Sequence, residues 1–378
     1  MVDPVRQEVM TMAHTIVIKV GTNVLANDAG LLDRGRIASL AEQLHRIRQS
    51  GRRVLLVSSG AIGAGVGRLG LSQRPTDLRQ LQACAAVGQS ALMQLYQDCL
   101  EPFGIQAAQI LLTAGDFESR SRYLNMRNTL LTLLEWQCLP IINENDTVSV
   151  AEIKFGDNDH LAAMVTNLLQ APLLILLSVV DGLYTADPRT DPTARLLTTV
   201  PHLDAHITAL ASPSRSALGT GGMPSKLRAA RLATLAGECV VMANGTTPGI
   251  LDAILRAEPV GTLFLPHGGI VPARKRWFGL TVQPQGRLIV DAGAVQAICQ
   301  KGKSLLPVGV RRVCGSFGKG AVVSVCDEAE REIARGLCNY ASAEAEKICG
   351  KQSEQLPAIL GQVPYTELIH RDNLVVIA

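Results

Sequence analysis

Two lysines stand where a lysine needs a reason. Lys19 closes an apolar run and leads into the segment KVGTNVL, with Gly21 two residues on. A lone ammonium among apolar side chains is costly, so Lys19 calls for an anionic partner. The neighbouring glycine would let backbone amides approach a ligand. Taken by itself, the segment fits a snorkelling surface lysine equally well. Lys226 ends the glycine-rich segment GTGGMPSK just before a helix-period stretch. That is the physical recipe for a phosphate cradle, although it does not match the P-loop pattern.

Between these lysines lie two clusters of amides and carboxylates. Asn143, Glu144, Asn145 and Asp146 follow one apolar run, and Gly156, Asp157, Asn158 and Asp159 precede a helix-period stretch. Capping the helix needs one such residue. The remainder suit holding an ammonium group and orienting lysines. A third segment, VSSGAIGAGVGRLG, puts Ser58, Ser59 and Gly60 at a turn whose free amides favour an anion. Its Gly65, Gly67 and Gly70 satisfy G-x-G-x-x-G. No Asp or Glu stands between Leu78 and Gln97, where the dinucleotide fingerprint would want one, so NAD binding is disfavoured.

These residues must be carried by a scaffold. Strands are expected at Thr15–Val20, Arg53–Ser58, Ile105–Thr113, Leu139–Ile142, Leu173–Ser178 and Cys239–Ala243. Helices are expected at Arg36–Ser50, Leu78–Leu100, Tyr123–Gln137, Asp159–Gln170 and Ser225–Ala236. Alternation of this kind predicts an α/β fold, a mainly parallel sheet sandwiched by helices, with ligands beyond the carboxyl ends of the strands. The Pro- and Gly-rich stretch Pro266–Gly286 reads as a linker region, and short β runs after it predict a small, mainly β domain. The expected organisation is a tail at 1–13, a domain at 14–270, a linker at 271–285, a domain at 286–365 and a tail at 366–378.

Composition sets outer bounds. The chain has 378 residues, 47% hydrophobic and 18% charged, which excludes a mainly disordered protein. A net charge of +3 argues against gripping nucleic acid over the whole surface. Nine cysteines are scattered without a close Cys-x-x-Cys pair, so no zinc site or disulfide framework is expected. The N-terminus lacks an apolar signal region, and the run Ala171–Val180 falls short of the ~20 residues that span a bilayer. The expectation is a cytoplasmic protein with no membrane association.

In the order KVGTNVL, SSGAIGAG, AAVGQ, INENDTV, EIKFGDND, GLYTADPR and GTGGMPSK, the motifs resemble those of the amino-acid kinase family. The segments VDAGA, SLLPVGV and GSFGKGAVVSV resemble a PUA domain. The resemblance implies ATP-dependent phosphorylation, with Mg²⁺, of the L-glutamate γ-carboxylate to γ-glutamyl phosphate, the first step of proline biosynthesis. It implies that Lys19 and Lys226 stabilise the moving phosphoryl group and that Asp159 orients both. It places glutamate at Ser59, Asp146 and Asn158. It places the nucleotide at Ser178, Val179, Thr220, Gly221, Gly222, Met223, Pro224, Ser225 and Lys226. Val179 departs from the family pattern, which has an acidic residue there; Asp181 is a possible substitute. The family further implies a homo-oligomer, dimer or tetramer, and a separate glutamyl phosphate reductase to take the product. Other members, acetylglutamate kinase, aspartokinase and UMP kinase, are the near alternatives. An RNA-binding or RNA-modifying protein acting through the PUA domain is the alternative from another class, though the basic residues there are offset by acidic ones.

Overall fold

The computed structural model describes residues 3–27, 30–149, 158–210, 222–266, 273–361 and 365–377. The chain divides into two compact units, Met1–Ile270 and Val271–Ala378. In the first unit the strands are β1 (Thr15–Val20), β2 (Arg53–Ser58), β3 (Ala107–Leu112), β4 (Leu139–Glu144), β5 (Leu173–Ser178), β6 (Thr199–Val200), β7 (Cys239–Asn244) and β8 (Thr262–Phe264). They form one sheet in the order β3-β4-β2-β1-β5-β7-β8-β6. Every pairing is parallel except β7 with β8. β1 and β4 are buried along their whole lengths. Such strands read as unbroken apolar runs because both faces are covered.

The main helices are α1 (Pro4–Met12), α2 (Arg34–Gln49), α3 (Ala61–Arg68), α4 (Leu78–Leu100), α5 (Arg120–Glu135), α6 (Asn158–Leu169), α7 (Met223–Ala236) and α8 (Ile250–Leu255). Asp33 and Asp77 cap α2 and α4 by accepting from two amides each. On α2, Ile37, Leu40, Ala41, Leu44 and Ile47 form the buried stripe that helical periodicity requires. That stripe joins Ile16, Ile18, Val20, Leu56, Ile141 and the α4 residues Leu92 and Tyr96 in one core on one face of the sheet.

The second unit has its own five-stranded sheet, built from β9 (Gly286–Val290), β10 (Val310–Cys314), β11 (Val322–Cys326), β12 (Glu332–Leu337) and β13 (Leu374–Val376). Its order is β10-β9-β11-β12-β13, with only β9 and β11 parallel. A helix, α10 (Ala292–Cys299), follows β9, and the short helix α9 (Ala273–Arg276) precedes it.

Three segments differ from expectation. Residues 3–13, expected as part of a tail, hold a helix: Asp3 caps α1 through the Val5 amide, and Pro4 sits in its first turn. Arg6 on this helix is 1% exposed and donates to the carbonyls of Thr198, Glu258, Val260 and Gly261. Of the stretch expected as a linker, residues 273–285 contain α9 and a π turn at Trp277–Thr281. Phe278 and Val282 from this stretch pack with Val322 and Val375. Residues 366–378 contain β13, which pairs antiparallel with β12. Each segment carries one or two apolar residues that only tertiary packing makes decisive.

Candidate active site

The chemistry-bearing residues gather beyond the carboxyl ends of the parallel strands. In register, Lys19 lies between Val57 of β2 and Leu176 of β5. With apolar residues on both sides, it is 5% exposed and needs a counter-charge. Asp159, in the first turn of α6, supplies it: Lys19 Nζ is 2.5 Å from Asp159 Oδ1. The other carboxylate oxygen is 3.1 Å from Lys226 Nζ, and the Ser225 hydroxyl donates to it at 3.3 Å. Both Ser225 and Lys226 come from the first turn of α7. One carboxylate, wholly buried, therefore holds two ammonium groups.

Burial would raise the Asp159 pKa, but the charges and hydrogen bonds of Lys19 and Lys226 outweigh it and hold the group down at about 2. Two ammonium groups thus stand together on one carboxylate in a buried site, where an arriving anion feels them strongly.

A second group lies on the β2–β4 side. Asn158 Nδ2 donates to the Ser58 carbonyl at 3.1 Å, to Ser59 Oγ at 2.9 Å and to Asn143 Oδ1 at 3.0 Å. Asn143 in turn donates to Gln89 Oε1 on α4 at 2.8 Å, and its own Oδ1 accepts the Glu144 amide. Ser58 Oγ lies 2.8 Å from the buried Tyr96 hydroxyl. Ser59 and Asn158 are thus brought together. Asp146 is not hydrogen-bonded to either; burial pushes its pKa up to about 6, partly offset by Arg74.

On the other flank, Ser178 ends β5, and its carbonyl accepts the Gly245 amide at 2.7 Å. Val179 is 47% exposed. The Asp181 carboxylate accepts from Asn244 and from the Tyr184 hydroxyl, both at 3.0 Å, so it is tied into its own loop. Gly222 is the extended N-cap of α7 with no side-chain cap, and Met223 and Pro224 open the helix. Thr220 and Gly221 lie outside the described residues.

Reading the sequence alone missed Asn143 as a partner of Asn158, and Gln89 as the partner of Asn143. Their amides sit on separate elements, and only the pairing of β2 with β4 joins them. Gly65 and Gly70 of the G-x-G-x-x-G pattern also gain an explanation. A Cβ on Gly65 would lie 1.9 Å from the Cys84 carbonyl, and one on Gly88 would lie 1.8 Å from that of Ala61. Gly65 and Gly88 let α3 and α4 touch backbone to backbone. Gly70, at φ +63°, ends the turn after α3.

No helix among the described residues is long and apolar enough to cross a membrane. Among these residues, too, no three His, Cys, Asp or Glu side chains cluster as a metal site.

Known proteins resemble this chain in sequence along nearly its whole length. The pattern of the amino acid kinase family matches residues 14–243, and that of the PUA domain matches residues 286–360. A glutamate 5-kinase of Moorella thermoacetica is 48% identical over 368 residues, covering 97% of each chain. One of Geobacter sulfurreducens is 48% identical over 372 residues, covering 98% of this chain and 100% of that one. Among solved structures, a UMP kinase from Bacillus anthracis aligns with TM-score 0.46 at 15% identity, over 68% of this chain and 97% of that one. With well over half its length matched by one family pattern and near-complete relatives at this identity, the chain belongs to the amino acid kinase family.

Proposed function

We propose that this protein transfers the γ-phosphoryl group of ATP to the side-chain carboxylate of L-glutamate, giving γ-glutamyl phosphate. The observation that carries the reading is the buried Lys19–Asp159–Lys226 trio, two ammonium groups held by one carboxylate. The curated relatives named glutamate 5-kinase, 48% identical along nearly the whole chain, support glutamate as the acceptor. That reaction is the first step of proline biosynthesis.

A glutamate side chain has a reference pKa of ~4.3 and is ionised at neutral pH, so no general base is needed to make it a nucleophile. The obstacle is bringing an anion up to a polyphosphate. In the proposed mechanism Lys19 and Lys226 neutralise the equatorial oxygens of the moving phosphoryl group, in the manner general for phosphoryl transfer. Asp159 touches neither reactant; it fixes the positions of both ammonium groups. Ser59, Asn158 and Asp146 are assigned to glutamate. Ser178, Val179 and the α7 entry from Thr220 to Lys226 are assigned to the nucleotide, with helix-terminal amides facing phosphate.

Mg²⁺ is expected as a companion of the nucleotide rather than a resident of the protein. Asp159 is already committed to two lysines, and Mg²⁺ commonly binds through substrate phosphates plus one or two carboxylates. The product is a reactive acyl phosphate, so a reductase that consumes it promptly is the expected partner. The working form is expected to be a homo-oligomer.

Steady-state kinetics of Lys19→Ala and Lys226→Ala test the scheme. Removing one preorganised stabiliser of transition-state charge should lower kcat by ~10²–10³-fold, with a much smaller rise in either KM. A near-normal kcat in either variant would refute the two-lysine mechanism.

A further inference from the structure

The helix α4 lends two side chains to the site, and the mechanism uses neither. Gln89 and Tyr96 are seven residues apart, about two helical turns, so they share one face of α4. Tyr96 is 1% exposed, and its hydroxyl lies 2.8 Å from Ser58 Oγ. Gln89 Oε1 accepts from Asn143 Nδ2 at 2.8 Å. Ser58 and Asn143 each offer an oxygen to one donor, Asn158 Nδ2: the Ser58 carbonyl at 3.1 Å and Asn143 Oδ1 at 3.0 Å. From one face, α4 therefore grips both of these anchors of Asn158.

The direction of each hydrogen bond through Asn143 is fixed. A backbone N–H can only donate, and the Glu144 amide donates to Asn143 Oδ1. That sets the Asn143 carboxamide with its oxygen toward Asn158 and its nitrogen toward α4. Facing a nitrogen donor, Gln89 has to present its oxygen. Asn143 is 2% exposed, and among the described residues Gln89 is the acceptor for its side-chain nitrogen. A buried donor left unsatisfied is costly, so without Gln89 the carboxamide gains by turning toward another partner. As it turns, Asn158 and, through it, Ser59 lose their alignment.

Gln89 itself has a fixed seat. Its neighbour Gly88 lies where α4 meets α3, and a Cβ there would stand 1.8 Å from the Ala61 carbonyl. Ala61 opens α3 two residues after Ser59. The contacts run from Ser59 through Ala61, Gly88, Gln89, Asn143 and Asn158 back to Ser59, and so close a ring. Cutting this ring at Gln89 frees the Ser59–Asn158 side without touching the Lys19–Asp159–Lys226 trio.

We propose that Gln89 is a positioning residue for the acceptor amino acid, holding Asn143 in the orientation that aligns Asn158 and Ser59. The proposal rests on the assignment of Ser59 and Asn158 to L-glutamate.

Steady-state kinetics of the intact protein carrying Gln89→Leu or Gln89→Glu test it. Leucine fills a similar space without an acceptor, whereas a carboxyl group keeps an acceptor oxygen at the same reach. Gln89→Leu should raise the KM for L-glutamate ~10-fold, with kcat and the KM for ATP changed less than about 3-fold. Gln89→Glu should keep the glutamate KM within about 3-fold of the parent value. An unchanged glutamate KM in Gln89→Leu overturns the proposal, as does an equal rise in both KM values. So does a Gln89→Glu variant as impaired as Gln89→Leu, since the acceptor oxygen would then not be what matters. Should leucine prevent folding, Gln89→Met, unbranched and of similar length, takes its place under the same criteria. Absence of glutamate-dependent ADP release in the unmodified protein is a different failure, since it refutes the acceptor itself.

Discussion

At the scale of single residues, the unusual feature is one carboxylate serving two ammonium groups with almost no solvent. Breaking a buried ion pair by removing one partner leaves charge uncompensated, which typically costs ~3–5 kcal/mol. Asp159→Asn is therefore expected to lose both activity and stability, the latter measured by urea unfolding. The pH dependence follows from the depressed pKa of Asp159, about 2 in the folded chain against an ordinary 3.8. A carboxylate whose pKa is lowered by folding stabilises the fold fully above its unfolded pKa. That stabilisation is lost as pH falls through the folded value. The stability gap between the native protein and Asp159→Asn should thus be constant above about pH 4 and narrow toward pH 2. A gap that stays constant down to pH 2 would contradict the account. Lys19 was legible in the sequence because a lysine ending an apolar run is anomalous, and Lys226 because it ends a glycine-rich run just before a helix-period stretch. Their shared partner was legible only through family likeness, because nothing in the spacing of Lys19, Asp159 and Lys226 says that β1, α6 and α7 meet. Glu144 was visible as part of a polar cluster. The face of the sheet it occupies waited on the register of β2 with β4.

At the scale of elements, continuous apolar runs betrayed the central strands. β1, β2 and β5 fall where the sequence predicts them, and β4 and β7 run slightly further than expected. The short pieces were not legible. β8 has three residues, and β13 has three in a stretch expected to be a tail. Segments that short take their structure from the neighbours they pair with rather than from local pattern. The α1 helix could have been found from Asp3 followed by Pro4, an N-cap with proline in the first turn. The glycines of α3 and α4 mislead in the opposite direction, since a dinucleotide-like spacing arises here from helix packing. Gly88→Ala should therefore destabilise the protein by ~1–3 kcal/mol or more through overpacking against Ala61 and Gly65. Calorimetry or denaturant unfolding would detect this. A variant as stable as the parent would show that α3 and α4 can part without cost.

At the scale of the whole molecule, every candidate catalytic residue lies in the first unit, Met1–Ile270, while the second carries a separate core around Leu288, Val323, Leu356 and Ile369. The parallel sheet places the ends of β1, β2, β4, β5 and β7 along one edge, and this alignment turns scattered motifs into one site. The division into an α/β unit and a β unit was legible from the change in composition near Pro266. The packing of 277–282, expected in a linker, was not, because its hydrophobic residues belong to the core of the second unit. The central claim is that this edge transfers phosphate to a carboxylate of glutamate. Hydroxylamine trapping tests it most directly, because an acyl phosphate is converted to a coloured hydroxamate as it forms. With the intact protein and ATP, the account predicts hydroxamate with L-glutamate and none without ATP. Hydroxamate arising only with aspartate or N-acetylglutamate, or with no amino acid at all, would contradict it.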